Sequence, residues 1–230
     1  MISAGPQGSG LQGSGLQGLG PGVVVAAFDV DGTLTTRDCV RPFLEQLGGR
    51  LGLLRAVAGS PLRTAAAVLR RDRDLLKDVV VGGVFGNRLV DDVAGEGRRF
   101  AAVIEATMLR PDTVARMRWH QSMGHRTVMV SASLRSYLAP LGASLGIEQV
   151  LCTDVASRHG RFQSSLDGPN CRAAEKAVRL RAWLASEGIG SATIWAYGDS
   201  RGDDELLAMA HHPVRVRGTT VTAVPDEMQR

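Results

Sequence analysis

Two carboxylates two residues apart, Asp29 and Asp31, open a segment Asp29-Val30-Asp31-Gly32-Thr33 directly after an apolar run. Further along, Ser131 follows a second apolar run. Lys176 opens a helical stretch. Gly198-Asp199-Ser200, with Asp203 three residues on, follows another apolar run. These residue types in this order suit transfer of a phosphoryl group to a carboxylate. Such a step brings an anion to a dianion, so charge compensation is its main demand.

Each residue then has a candidate role. Asp29 is the candidate nucleophile. Asp31 is the candidate acid that protonates the leaving alkoxide and later the base that activates water. A hard cation supplies most of the compensation, and Mg²⁺ prefers oxygen ligands. The candidate metal residues are Asp29, Asp31, Asp199 and Asp203. Lys176 adds a second positive charge. Ser131 offers a hydrogen bond to phosphate, and Gly32, Thr33 and Ala132 are phosphate-binding positions beside it. The bland alternatives are helix caps for Ser131, an acidic first helical turn for Asp203 and solvated charge for Lys176. For Asp29 and Asp31 the bland alternative is a helix N-cap and a turn acid, but two close carboxylates ending a buried apolar run are hard to justify structurally without a cation.

These residues need elements that place them together. Residues 23–30 form a continuous apolar run, as expected for a strand buried on both faces of a parallel sheet. Residues 127–130, 149–155, 192–197 and 213–217 read as further strands, and 159–166 as a short hairpin excursion. Helical patterns cover about 111–123, the stretch after Ser133 to about 145, 171–187 and 203–210. Strands alternating with helices predict an α/β, doubly wound parallel sheet, which binds ligands at the carboxyl ends of its strands. The polar residues above fall at those ends or just after them.

Between the first and second strands, residues 41–108 carry leucines and valines at helical spacing, punctuated by glycines and Pro61. An inserted all-helical unit is expected there, with 23–40 and 109–218 as the core. Residues 219–230 are expected to form a C-terminal tail. Residues 1–22 are a Gly/Gln/Ser/Leu tract with an internal repeat, expected to be flexible. That tract contains G-x-G-x-x-G, but no strand precedes it, so a nicotinamide-binding reading is rejected.

Composition narrows the class. Hydrophobic residues make up 44%, charged residues 22% and aromatics 4%, which is globular and poor in base-stacking side chains. The net charge of +4 is dispersed apart from Arg70, Arg71, Arg73 and Lys77 in the insertion, which either face the leaving group of a substrate or, the simpler reading, form a solvated helix face. No nucleic-acid partner is expected. Three cysteines without C-x-x-C spacing, no secretory pattern and no bilayer-length apolar run predict a cytoplasmic protein with reduced thiols and no stable membrane insertion. The only lysines are Lys77 and Lys176. The sequence carries no signal for oligomeric state.

The ordered set resembles the haloacid-dehalogenase-like superfamily over about residues 23–217. The all-helical insertion, with VSAS (130–133), GPNCRAAEK (168–176) and YGDS (197–200), resembles its phosphoserine-phosphatase-like branch with a helical cap, subfamily IB. The resemblance implies a Rossmann-like core and an aspartyl-phosphate formed on Asp29, with a small phosphorylated metabolite as substrate. It implies Mg²⁺ held by Asp29, the backbone carbonyl of Asp31 and Asp199, with Asp203 supporting the shell. Asp38 lies where phosphoserine phosphatases place the acid that holds the substrate amine. Their Ser-Gly-Gly is Ser131-Ala132-Ser133 here, a departure that weakens the phosphoserine reading. A phosphotransferase on the same core and a non-catalytic Mg²⁺-binding module are the alternatives. A dehalogenase is disfavoured by Asp31 and Asp199.

Overall fold

The computed structural model describes residues 22–225. All but the last residue of the N-terminal tract, including both Gly-rich matches, and residues 226–230 lie outside the described residues. Five strands form one sheet: β1 (Val23–Phe28), β2 (Arg126–Leu134), β3 (Gln149–Thr153), β6 (Ala192–Gly198) and β7 (His212–Arg215). Their order is β3-β2-β1-β6-β7, and every neighbouring pair is parallel. The doubly wound expectation holds. The chain steps one way from β1 to β3 and then returns to the other side of β1. That reversal opens a crevice at the carboxyl ends of β1 and β6.

Side-chain alternation along β1 feeds two apolar layers. Val25 and Ala27 pack with Leu180 and Trp183 of α7 (Ala174–Ser186) and Leu206 and Leu207 of α8 (Asp204–Ala208). Ala26 and Phe28 pack on the other face with Met117 of α5 (Pro111–Ser122) and Leu138 and Leu141 of α6 (Arg135–Ser144). The insertion contributes α1 (Val40–Ala58), α2 (Pro61–Arg70), α3 (Arg73–Phe85) and α4 (Val90–Thr107). Phe43, Phe85 and Ile104 join this second layer, so the insertion and this core face share apolar packing. No helix among the described residues is long and apolar enough to cross a membrane.

The third strand ends sooner than its apolar run suggests. Asp154 turns its carboxylate onto the Val155 amide (2.8 Å), and the chain re-enters as the antiparallel hairpin β4 (Val155–Arg158) and β5 (Arg161–Leu166). Its turn, His159-Gly160, has positive φ at both residues, the backbone hand that matches strand twist in a two-residue hairpin. The hairpin grips α3. Asp78 accepts from the Leu166 amide at 2.9 Å, Phe162 packs edge-on to Phe85, and a side chain at Gly82 would strike the Ser164 backbone. The segment from 219 runs back along α5. Arg110 and Arg116 donate to the carbonyls of Thr219 and Thr222, and Val221 is buried.

Beneath the sheet, His120 is fully buried between the Tyr197 hydroxyl and His125, each 2.8 Å away. Burial, then His125 and Arg116, push its pKa from 6.5 to about 3. The unfolded chain therefore takes up a proton below 6.5 that the native state refuses. This contribution to stability is complete above 6.5 and is lost as pH falls toward 3. Urea unfolding at pH 6.5 and pH 5 should differ by about 2 kcal/mol from this group. The difference should shrink in His120→Gln.

Candidate active site

The strand β1 stops at Phe28, where the Asp29 amide donates to the Tyr197 carbonyl of β6 at 2.9 Å. The chain then makes one wide turn, Val30–Leu34. Gly32 takes φ +82° in that turn. A β-carbon there would lie 2.5 Å from Asp199 Oδ2, so glycine permits both the backbone and the approach of that carboxylate. Thr33 is fully buried, and its hydroxyl has no hydrogen-bond partner among the described residues.

Asp29, Lys176 and Asp203 meet although they come from three separate elements. The Lys176 ammonium, 3% exposed, donates to Asp29 Oδ1 and Asp203 Oδ1, both at 2.5 Å. Asp203 Oδ2 accepts from the amide and hydroxyl of Ser200, each at 3.0 Å. Both Asp203 oxygens are thus engaged, and this residue locks the loop after β6 to the ammonium. Asp204 instead faces outward and pairs with Arg215. Burial pushes the Asp29 carboxyl up from 3.8 to about 7, with Asp203 and Asp31 adding to it against Lys176. Burial opposes the Lys176 charge, but Asp29 and Asp203 outweigh it and hold the ammonium protonated. Asp199, half-buried, is also pushed up, by burial and then by Asp203.

Oxygen atoms of Asp29, Asp199 and Asp203 all lie within 4.8 Å of one another. Three carboxylates facing one ammonium leave net negative charge, and an all-oxygen donor set suits a hard divalent cation such as Mg²⁺. The residues present fit that ion.

Asp31 faces elsewhere. Its Oδ2 accepts from the Ser133 hydroxyl at 2.5 Å, and its Oδ1 from the Cys39 amide at 2.8 Å. Tyr137 Oη donates in turn to Ser133 Oγ at 2.7 Å. Burial and then Asp38 push the Asp31 carboxyl up, against these donors. Ser133 and Tyr137 had no site signal in the sequence beyond the Ser-Ala-Ser string. They act here because β2 runs past its expected end and bulges. Ser131 pairs with Cys152 and Leu134 with Thr153, leaving Ala132 and Ser133 between the paired positions. Bulges of this kind re-aim side chains, and the Ser131 hydroxyl accepts from the Ser133 amide at 3.1 Å.

A polar pocket of about 110 Å³ is lined by Asp29, Asp31, Ser131, Ala132, Lys176, Asp203 and Arg172, among others. Asp199, Gly32 and Thr33 stand outside its walls. Arg172, unmarked in the sequence, is half-buried and has no ion pair among the described residues. Lys77 corrects an expectation. Arg70, Arg71 and Arg73 are exposed, but Lys77 leaves that solvated face. It reaches the Ala132 carbonyl and Asn170 Oδ1 (2.7 Å), and burial pushes its pKa down to about 8. Asp38 is exposed and caps α1 through the Arg41 amide at 3.1 Å.

The start of α7 is strained. Ala173 takes φ 53° and ψ −129°, and its amide donates to the Gly202 carbonyl at 2.9 Å. An L-residue there costs about 1–2 kcal/mol. Ala173→Gly should raise stability by roughly 1 kcal/mol after the glycine entropy cost, read as a higher melting temperature.

All three thiols are buried and unbridged. Burial pushes Cys152 up to about 12 and Cys171 to about 11, which leaves both as packing groups.

A family model of haloacid dehalogenase-like hydrolases matches residues 26–208. Protein CicA of Caulobacter vibrioides is 36% identical over 191 residues, covering 81% of this chain and 83% of that protein. A protein of unknown function from Bordetella pertussis Tohama I superposes with a TM-score of 0.66 at 22% identity, over 84% of this chain and 90% of its own. A phosphoserine phosphatase solved as a phospho-aspartyl intermediate analogue superposes at 0.57 and 14% identity, over 82% of this chain and 84% of its own. At these identities the solved structures share the fold.

Proposed function

The chain belongs to the haloacid dehalogenase-like hydrolase family, and we propose that it is a Mg²⁺-dependent phosphatase that hydrolyses a phosphate monoester through a phosphorylated Asp29. One observation carries this reading. The candidate nucleophile Asp29, the candidate acid Asp31, a buried ammonium and Ser131 of β2 line one small polar pocket.

Asp29 Oδ attacks phosphorus, forming the acyl-phosphate bond while the ester P–O bond breaks. Asp31, whose carboxyl is pushed up by burial, gives its proton to the departing alkoxide. The resulting Asp31 carboxylate then takes a proton from water. That water attacks phosphorus and releases inorganic phosphate and the Asp29 carboxylate. Ser131 donates to a phosphate oxygen, and Lys176 and Arg172 supply positive charge at the pocket wall. Asp29, Asp199 and the Asp31 carbonyl would hold Mg²⁺, with Asp203 supporting the shell by fixing Lys176. The bound ion supplies charge that offsets bringing a carboxylate to a phosphate dianion.

The test separates leaving groups. Asp31→Asn should cut kcat/KM, which reports the first phosphoryl transfer and not the later hydrolysis shared by all substrates, by about 10²–10⁴-fold on an alkyl phosphate, whose leaving group needs a proton. It should cut far less on p-nitrophenyl phosphate, whose leaving group departs unaided. Equal losses on both would remove Asp31 from the acid role. Turnover unaffected by chelation of divalent metal would remove Mg²⁺ from the proposal.

A further inference from the structure

The polar pocket does not end at Asp31. Asp31, Ala132 and Arg172 also border a second cavity of about 1040 Å³ between α1 and α3. Its walls are largely aliphatic, with Leu44, Leu53, Leu54 and Val57 on α1 facing Leu76 and Val80 on α3. Leu54 is 65% exposed and Leu76 36%, so large apolar side chains stand open to this space. Ordinary ligand pockets hold a drug-sized molecule in about 300–1,000 Å³. A three-carbon ester would leave this one mostly to water against leucine.

Some polar groups bordering the cavity are committed to one another, while Asp38, Arg50, Arg73 and Arg172 border it with no ion pair among the described residues. The Lys77 ammonium is spent on Ala132 and Asn170, the Asn170 amide nitrogen donates to Asp74 at 2.7 Å, and Arg41 pairs with Glu45 at 2.9 Å. An alkyl or acyl chain would cover the aliphatic walls that the leucines and valines of α1 and α3 present to this space. The acid sits at the junction of the two spaces, where an ester oxygen would lie between phosphate and leaving group.

We infer that the groove between α1 and α3 receives an apolar chain, and that the substrate class is an amphiphilic phosphate monoester, a phosphate head joined to an alkyl, acyl or prenyl tail. This rests on the phosphatase reading above and adds the leaving group to it.

The experiment is a chain-length series on the full chain with Mg²⁺, from methyl to decyl phosphate, below micelle-forming concentrations. kcat/KM should rise by up to about fourfold per added methylene and then level off when the groove is full. Leu54→Asp and Leu76→Asp, with melting curves to check folding, should each lower the decyl-to-methyl ratio of kcat/KM by at least about tenfold. A flat profile with measurable turnover would overturn the groove assignment and leave the phosphatase reading intact. Turnover of no ester at all would overturn the phosphatase reading. Calorimetry with non-hydrolysable alkylphosphonates then decides the groove. Affinity climbing with chain length in the parent, and not in Leu54→Asp, keeps it, and no climb ends it. A 1-acylglycerol phosphate offered as monomer or in phosphatidylcholine–phosphatidylglycerol vesicles locates the source. Faster turnover from vesicles points to a bilayer and faster turnover from monomers to solution, and either supports the groove provided Leu54→Asp slows both.

Discussion

Asp29→Asn should leave a folded protein whose kcat/KM on p-nitrophenyl phosphate with Mg²⁺ falls by on the order of 10⁴-fold or more, as when a covalent nucleophile is lost elsewhere. The amide keeps the shape of the carboxyl but offers neither a nucleophilic oxygen of comparable strength nor a negative charge for a cation. Folding should survive because the site is crowded with acids. Burial already pushes the Asp29 carboxyl up to about 7, and in the variant Lys176 still pairs with Asp203 at 2.5 Å. The parent, but not the variant, should also be inhibited by beryllium fluoride with Mg²⁺, a mimic of the phosphorylated carboxylate. Parent-like turnover in a pure variant would end the covalent reading.

Lys176→Met should cost both stability and rate. The ammonium is almost fully enclosed and touches two buried carboxylates. Removing it leaves those charges without a partner, a loss of about 3–5 kcal/mol. Against a typical total of about 5–15 kcal/mol this is a large fraction.

The loss should depend on pH in a defined direction. A carboxyl whose native pKa lies above its unfolded value of 3.8 stabilises the fold when protonated, and that contribution disappears as pH rises through the native pKa. Asp29 already stands near 7 with the ammonium in place, and losing that cation moves it higher. Without divalent metal, the variant should therefore lie closest to the parent near pH 5 and fall away from it toward pH 8. Lys176→Met/Asp203→Asn should recover part of the difference by removing one stranded charge. Activity should drop about 10²–10³-fold, the scale of losing one preorganised charge partner. Lys176→Arg should restore little, since a planar fork cannot replace a compact ammonium held between two carboxylates. A variant with parent-like stability at pH 8 would show that the buried triad does not carry the load assigned to it.

What the sequence determined by itself was the sheet, the helical insertion and the order of the acids. A strand buried on both faces must be a continuous apolar run, as in 23–28, and a parallel sheet presents ligands at strand ends. Asp29, Ser131 and Asp199 are therefore readable from the run each one follows. The boundaries were less readable. The apolar run 149–155 passes straight through the break at Asp154, because a side chain turning onto its neighbour's amide changes no hydropathy.

Only the tertiary structure decided which partners each acid meets. Ser133 and Asp31 are 102 residues apart and meet through a bulge invisible in hydropathy. Asp203 and Asp204 are chemically identical neighbours, and the tight turn Arg201–Asp203 sends one inward to Lys176 and the other outward to Arg215. Arg70 ends α2 and Arg71 follows it, whereas Lys77 lies one turn past Arg73 on α3, which packs against the hairpin and carries the Lys77 ammonium to the Ala132 carbonyl. Local periodicity encodes which face of an element is apolar. The angle and depth at which two elements pack are set by the whole core, and polar contacts across them follow from that packing.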